Sequence, residues 1–197
     1  MPTLNKQLKR EQLLDQGVSL LMEQGYHGTG LKKILDTVQI PKGSFYHYFE
    51  SKEAFGAEVI THYINPFIVQ LSGHLNNPEL DGLSALNAYF GELVTELGRG
   101  DFKGGCLLGN LMGEIGDTSD ICRASLKQAV RRYRDLLALG LAKAQLEGTV
   151  RTDKTAERLA DLLVNAWQGA LLRMKIEQSV VPVKDCCEDL LGDYFKA

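Results

Sequence analysis

The chain has 197 residues, enough to bury a sizeable core in one or two small domains. Hydrophobic residues make up 44% and charged residues 24%, a composition typical of globular proteins and unlike that of disordered chains. Charges interrupt every apolar run before it reaches membrane-spanning length, and the N-terminus lacks the apolar core of a signal peptide. We therefore expect a cytoplasmic protein without a membrane partner.

The N-terminal segment predicts three helices. Apolar residues recur every three or four positions between residues 5 and 24, and Gly25 is a plausible end for that helix. Thr29 is predicted to cap a short second helix. Pro41 follows a turn and is predicted to open a brief third helix, at residues 42–49. Two short helices at this spacing are typical of a helix-turn-helix.

The rest of the chain also has helical periodicity. Ser51 is a predicted N-cap, with Glu53 in the first turn of a fourth helix that runs to about residue 75 and contains Pro66. After a loop at 76–81, further helical patterns follow at about 82–98, 105–115, 119–147, 154–178 and 184–195. Neither strand alternation nor an internal repeat competes with these patterns. We therefore predict an all-α fold, with an N-terminal three-helix head and a C-terminal helical body.

The net charge of −3 is unevenly distributed along the chain. Residues 1–52 carry seven Lys and Arg against five Asp and Glu, whereas residues 53–197 carry fifteen against twenty. DNA phosphates attract a positive surface and repel a negative one. The asymmetry therefore favours a nucleic-acid-binding module within residues 1–52, followed by an acidic body.

The most informative stretch is PKGSFYHYFESKEAF, residues 41–55. A short helix that enters the major groove needs apolar anchors behind it and small or polar side chains in front. Phe45 and Phe49, four residues apart, are the predicted anchors. The residues predicted to face phosphates and base edges are Lys42, Ser44, Tyr46 and His47, and Gly43 permits close backbone approach to DNA.

This stretch resembles the signature of the tetracycline-repressor (TetR) family. The resemblance covers the first fifty residues well and the body mainly in helix number and length. It implies a helix-turn-helix DNA-binding domain at residues 1–52 and a helical effector-binding and dimerisation domain at residues 53–197. It implies a dimeric repressor that a small effector releases from a (pseudo)palindromic double-stranded DNA operator. It further implies phosphate contacts at Thr29 and Lys52 and groove contacts at Tyr46 and His47. The alternative that Tyr46, His47 and Tyr48 only pack the head stays open, most of all for Tyr48.

One such head covers half of a palindromic site, so we expect a homodimer that holds two heads. The last two long helices are the predicted interface. Their apolar stripe consists of Leu159, Leu162, Leu163, Ala166, Ala170 and Leu171, and its small residues permit close four-helix packing. Burial of the stripe within one monomer is the alternative.

The most informative stretch of the body is glycine-rich and spans residues 103–116. Gly105, Gly109 and Gly113 recur every four residues, which predicts a helical face that another helix or a ligand approaches closely. Cys106 stands at the predicted start of this helix, where the helix dipole favours a thiolate. A reactive thiol and a buried structural cysteine are both compatible with this position.

Resemblance extends to a subgroup of TetR repressors that respond to reactive electrophiles, which includes the repressors of N-ethylmaleimide reductase and of acrylate utilisation. The shared features are PKGSFYHYF, the GC-LL-GN stretch and the later LLRMKIE. The resemblance implies that an electrophile or oxidant modifies Cys106, with Lys175 as a candidate neighbour. A solvated Lys175, a structural Cys106 and a non-covalent effector are the alternatives. Trp167 is either core or a wall of the effector pocket.

Other residue types suggest no further chemistry. Cys122, Cys186 and Cys187 are predicted core or interface residues, and His27, His62 and His74 have no partners at metal-ligand spacing. We expect no cofactor and no metal. Two other functions stay open: a cysteine-dependent enzyme built on Cys106, which lacks a nucleophile motif, and a helical adaptor that has lost DNA binding.

Overall fold

The structure is a computed structural model that describes residues 2–100, 102 and 105–197. Within these residues the extended pairing is limited to an isolated antiparallel bridge between Val150 and Lys196. The α-helices of the described chain are α1 (Pro2–Gly28), α2 (Leu31–Thr37), α3 (Lys42–Phe45), α4 (Lys52–Leu75), α5 (Gly82–Arg99), α6 (Leu107–Ile115), α7 (Asp120–Leu146), α8 (Ala156–Glu177) and α9 (Val181–Asp189). A π-helical turn at Leu190–Tyr194 follows α9. The predicted all-α fold is confirmed.

Helix boundaries differ from the predicted ones mainly around α2 and α3. The predicted cap Thr29 is wrong, because Gly30 is the residue that precedes α2 in extended conformation. Helix α3 ends at Phe45 instead of continuing to Phe49. Turns complete the segment, in which the amide N–H groups of Tyr48 and Phe49 both donate to the Phe45 carbonyl, at 2.8 and 3.0 Å.

The chain forms two compact units. The first unit comprises Met1–Asn65 with Cys106–Ala129, and the second unit comprises Pro66–Gly105 with Val130–Ala197. Helix α6 and the start of α7 therefore belong with the N-terminal helices, although the sequence division at residue 52 assigns them to the body. The predicted division follows chain order, whereas the contacts bring a segment from the middle of the chain to the head.

Three phenylalanines form the core behind α3 in the first unit. Phe45, Phe49 and Phe55 are almost completely buried, and their ring centroids lie between 4.9 and 5.6 Å apart. Helix α1 approaches α4 closely at Gly17, where an added Cβ would lie 2.6 Å from side-chain atoms of Phe55 and Val59. Each such buried aromatic side chain contributes about 1.5–3 kcal/mol to folding, so this cluster fixes α3 against α1 and α4.

Helix α1 is interrupted near its end. Gly25 has a φ of 71°, in the left-handed region that glycine adopts without the steric cost of a Cβ atom. This residue coincides with the predicted helix end. We call residues 25–30 the α1–α2 turn, because they redirect the chain from α1 into α2.

The second unit is built around another aromatic cluster. Tyr89 and Phe90 on α5 are buried with ring centroids 5.2 Å apart, and the Phe90 ring lies 5.0 Å from that of Trp167 on α8. The start of α5 touches the backbone of α7, since a Cβ at Gly82 would lie 2.6 Å from the Gly140 carbonyl oxygen. Trp167 is therefore a core residue of this unit.

Candidate nucleic-acid interface

We call residues 41–49 the recognition segment. Its two faces differ, as the sequence predicts: Phe45 and Phe49 are buried, with 0% and 2% of their surface exposed. The prediction that these two residues anchor the segment is confirmed. The anchors hold a short helix on the surface of the first unit, with its other face directed away from the core.

The outer face of the recognition segment carries the polar residues. Lys42, Gly43, Tyr46 and His47 are exposed, and 54% of the Tyr46 surface is accessible. Among the described residues, no atom lies within 4 Å of where a Gly43 Cβ would be, so a DNA backbone has room to approach. Ser44 and Tyr48 are half-buried. This face can offer an ammonium group, a phenol and an imidazole to phosphates or base edges.

Thr29 has a different position from the predicted one. Its surface is fully buried, and its hydroxyl donates to the Gly25 carbonyl at 2.7 Å, with the Leu20 carbonyl 3.1 Å away. A side chain without exposed surface cannot reach a phosphate in this conformation. We therefore revise the interpretation of Thr29 from a phosphate contact to a brace of the α1–α2 turn.

Lys52 is also engaged within the first unit. Its Nζ donates to the Tyr26 carbonyl at 2.8 Å and lies 4.2 Å from the centroid of the Tyr26 ring. Burial lowers the pKa of Lys52, and the negative charge of Glu114 opposes this effect. Because an ammonium group has three N–H donors, the bond to Tyr26 leaves others for a phosphate. The structure thus adds a bracing contact to the predicted phosphate contact.

Sequence reasoning missed two groups of residues near this interface. Lys32 and Lys33 lie exposed on α2 and add positive charge to the first unit. Glu114 of α6 accepts hydrogen bonds from the backbone N–H groups of Tyr26 and His27, both at 2.7 Å. The two lysines are visible in the sequence as a charged pair on a helix. Glu114 lies almost ninety residues from its partners, and no local pattern indicates that contact.

Cys106 is the N-cap residue of α6, in extended conformation and half-buried. Its carbonyl accepts the first hydrogen bond of the helix, from the Asn110 N–H at 3.0 Å. The predicted position of this thiol at a helix start is confirmed. Within the described chain the four cysteines form no disulfide.

The predicted glycine face of α6 is wrong at Gly105. Gly105 precedes the helix and has a φ of 70°, so it redirects the chain instead of lining a helical face. An added Cβ at Gly113 would find no described atom within 4 Å, so no described helix packs there, and approach by a ligand stays a prediction. Lys103 and Gly104, at the start of the glycine-rich stretch, lie outside the described residues.

Lys175 lies beside the chain that leads into α6. A Cβ at Gly105 would be 4.0 Å from the Lys175 Cδ, and both residues belong to the second unit. Lys175 is half-buried on the last turn of α8.

The other three cysteines have surroundings that disfavour thiolates. Burial raises the pKa of Cys122, whose Sγ lies 3.6 Å from the Glu53 carbonyl oxygen. Burial also raises the pKa of Cys186 to about 11 and that of Cys187 to about 12. Since the thiolate is the nucleophile, these residues are poor targets for electrophiles at neutral pH.

The predicted dimer stripe on α8 mostly faces inward. Four of its six residues, Leu159, Leu163, Ala170 and Leu171, are buried within the second unit. The apolar residues of α8 that remain exposed are Leu162, Leu172 and Ile176, of which Ile176 is 80% accessible. The stripe as predicted is therefore largely a core face, and a neighbouring face of α8 is open.

Two classes of site are absent from the described residues. No helix there is both long and apolar enough to cross a membrane. In the same part of the chain, no group of three or more His, Cys, Asp or Glu side chains is arranged to hold a metal ion.

The first unit therefore has the features of a helix-turn-helix DNA-binding protein: a short helix with buried anchors, an exposed polar face and a preceding helix joined by a tight turn. Comparison with known proteins agrees. Residues 13–59 match the family model of bacterial regulatory proteins of the tetR family, and residues 82–189 match that of the tetracyclin repressor-like C-terminal domain. The chain belongs to the TetR family of transcriptional repressors.

Curated relatives match over most of their length. The HTH-type transcriptional repressor DhaR of Mycobacterium sp. (strain GP1) is 34% identical over 174 residues, 88% of this chain and 86% of that protein. The transcriptional regulator AcuR of Cereibacter sphaeroides is 34% identical over 170 residues, 86% of this chain and 78% of that protein.

A solved structure is similar throughout. The reduced form of Escherichia coli NemR superposes with a TM-score of 0.87 at 29% identity, covering 96% of this chain and 97% of NemR. By sequence, the HTH-type transcriptional repressor NemR of strain K12 is 31% identical over 176 residues, 89% of this chain and 88% of that protein. All three of these relatives are transcriptional regulators.

Proposed function

We propose that this repressor binds its operator as a homodimer through the exposed face of the recognition segment, and that a soft electrophile releases it by modifying Cys106. The observation that supports release by modification of Cys106 is the position of its thiol. Cys106 is the N-cap of α6, where the dipole of the helix favours an anion, while the other three cysteines lie in surroundings that favour the neutral thiol.

The proposed DNA contact is supported by the two faces of residues 41–49, one polar and exposed and the other apolar and buried. Lys42, Tyr46 and His47 project from a surface that Phe45 and Phe49 hold in place. Lys42 suits a phosphate, and Tyr46 and His47 suit the groove. Tyr48 is half-buried and contributes as much to packing as to contact, since its ring lies 6.4 Å from that of Phe49.

The dimer contact is supported by the open face of α8. Leu162, Gly169, Leu172 and Ile176 are exposed at positions that fall on one side of a helix. A second copy of this chain, related by a two-fold axis, would cover such a face with its own. Ile176→Glu is expected to shift the protein from dimer to monomer in analytical ultracentrifugation. The matched control is Leu146→Glu on α7, at a residue that is 92% exposed.

The covalent step is a conjugate addition. The Cys106 thiolate forms a C–S bond to the β-carbon of an α,β-unsaturated carbonyl compound, and the displaced π electrons pass to the α-carbon, which takes a proton from water. No oxidant is needed and no group leaves. The adduct stabilises a conformation that does not bind the operator.

The test is DNA binding by purified, reduced protein before and after treatment with N-ethylmaleimide. A duplex from the protein's own promoter region is titrated with wild type, Cys106→Ser and the control Cys186→Ser. We expect treatment to abolish specific binding by wild type and Cys186→Ser and to leave Cys106→Ser bound. Equal release of Cys106→Ser would refute sensing at this thiol.

A non-covalent effector is the second candidate. Phe90 and Trp167 are buried against each other in the second unit, so a flat apolar ligand would stack on these rings only after the surrounding helices separate. This reading predicts that N-ethylmaleimide leaves operator binding intact in wild type. It also predicts that Trp167 fluorescence, from the only tryptophan, changes when a ligand binds.

A further inference from the structure

The carboxylate of Glu114, on α6, accepts two backbone hydrogen bonds from the α1–α2 turn. Both oxygens of Glu114 are used: Oε2 accepts from the Tyr26 N–H and Oε1 accepts from the His27 N–H, each at 2.7 Å. Hydrogen bonds to an ionised carboxylate at this distance are among the stronger ones in proteins. Glu114 comes from α6, eight residues after Cys106.

The break at Gly25 explains why this turn needs an external acceptor. A left-handed residue ends the regular α1 ladder, so the N–H groups that follow it must find other partners. The space at Gly25 is also filled by Glu114, because an added Cβ would lie 2.6 Å from its Oε2. The absence of a Cβ at Gly25 therefore leaves the space that the Glu114 carboxylate occupies.

Two further hydrogen bonds stabilise the α1–α2 turn. Lys52, at the start of α4, donates to the Tyr26 carbonyl at 2.8 Å, so the two sides of one residue's backbone are bound by opposite charges. The Thr29 hydroxyl donates to the Gly25 carbonyl at 2.7 Å, within the turn itself. Helices α1, α4 and α6 of the first unit are thus tied together at residues 25–29.

Helix α6 joins this point to the candidate sensing thiol. Cys106 caps its start and Glu114 lies in its last turn. At about 1.5 Å per residue, these two residues are separated by roughly 12 Å of continuous helix. A displacement at one end of so short a helix moves the other end.

We propose that Glu114 is a positioning residue: it fixes the α1–α2 turn, and with it the recognition segment, in the DNA-binding arrangement, and it transmits displacement of α6 to that turn. This proposal rests on the proposed function, because it assigns a residue that connects Cys106 to the DNA-binding helices. Glu114 itself has no role in binding the electrophile or the DNA.

The test compares Glu114→Gln with Glu96→Gln, the same change at an exposed position of α5. Glutamine keeps the size of the side chain but has one acceptor oxygen, and its NH2 group faces a backbone N–H. Three quantities are measured for each protein: affinity for the promoter duplex, affinity for an unrelated duplex, and hydrogen exchange at the Tyr26 and His27 amides.

We expect Glu114→Gln to remain folded by circular dichroism and to bind the promoter duplex about ten-fold more weakly. Binding to the unrelated duplex, which depends on charge alone, should change little. The Tyr26 and His27 amides should exchange faster, whereas Glu96→Gln should match wild type in all three measurements. If Glu114→Gln does not fold, Glu114→Asp takes its place, since it keeps the charge on a side chain one methylene shorter.

The response to N-ethylmaleimide separates this proposal from the proposed function. If treated wild type releases DNA, the ratio of affinities before and after treatment should fall toward one in Glu114→Gln. An unchanged ratio together with unchanged promoter affinity overturns the positioning role. If wild type does not respond, sensing at Cys106 fails, and the positioning role is decided by promoter affinity and amide exchange: a loss supports it, and wild-type values in both overturn it.

Discussion

The recognition segment and the α1–α2 turn belong to the same unit but are stabilised in different ways. The recognition segment depends on nearby residues, with Phe45 and Phe49 four positions apart and Phe55 shortly after them. The α1–α2 turn depends on distant residues, with Lys52 reaching back 26 positions and Glu114 reaching back 88 to Tyr26. The recognition segment is thus stabilised by residues close to it in sequence, whereas the α1–α2 turn is stabilised by residues far from it in sequence.

The largest expected effect comes from breaking the recognition segment at its anchor. Phe45→Ala removes a fully buried ring and should lower the free energy of unfolding by about 3–5 kcal/mol, because the cavity cannot close against Phe49 and Phe55. Urea denaturation followed by circular dichroism measures this loss. Tyr46→Ala, one residue further on and exposed, is the control and should change stability by less than about 0.5 kcal/mol. Similar losses in the two variants would contradict the two-faced description of this segment.

The α1–α2 turn should respond to a single methyl group. Gly25→Ala places a Cβ at a φ of 71° and against Glu114, which should cost about 1–2 kcal/mol in unfolding free energy. Gly113→Ala on α6 is the matched control, since its Cβ would meet no described atom and alanine favours a helix. The two substitutions should therefore have opposite signs in urea denaturation, and equal signs would show that the turn is not tightly fitted.

Alkaline pH should weaken the turn through Tyr26. Burial, with smaller contributions from Cys122 and Glu53, raises the pKa of Tyr26 to about 12. In an unfolded chain the phenol titrates near pH 10, so its stabilising contribution is complete below about pH 10 and is lost as the pH rises toward 12. Tyr26→Phe lacks this titration, and its stability should fall less steeply than that of wild type between about pH 10 and 12. Parallel profiles of unfolding free energy against pH for the two proteins would show that Tyr26 does not cause the loss of stability.

The smallest expected effect on stability belongs to Lys42. Lys42→Ala should leave the unfolding free energy within about 0.5 kcal/mol of wild type, because the side chain is exposed. Its effect should appear in DNA binding instead, where losing one phosphate contact lowers the slope of log affinity against log salt by about 0.9. Titrations at several salt concentrations measure this slope. An unchanged slope would place Lys42 away from the DNA.

The sequence was sufficient where patterns are local. Helical periodicity predicted the helices, and the spacing of Phe45 and Phe49 predicted the inner face of the recognition segment. Prediction was wrong where a residue type has two uses. Thr29 was interpreted as a cap and a phosphate contact, but its hydroxyl turns inward to carbonyl groups of α1 and its turn.

Long-range contacts explain what the sequence could not predict. Glu114 is an ordinary charged residue in a helical pattern, and only the fold brings it to Tyr26 and His27. The apolar stripe of α8 shows the same difficulty, because Leu163 in the core and Leu172 on the surface are equally hydrophobic. Whether an apolar residue faces its own unit or a partner depends on how neighbouring helices cover it.

The most direct test of the DNA interface is the affinity of Tyr46→Ala for a duplex from the protein's own promoter region. The measurement is a fluorescence anisotropy titration at fixed salt, with wild type alongside. We predict a loss of at least about ten-fold in specific affinity, equivalent to about 1.4 kcal/mol, with unchanged folding stability. Wild-type affinity in this variant would contradict the claim that the exposed face of the recognition segment binds the operator.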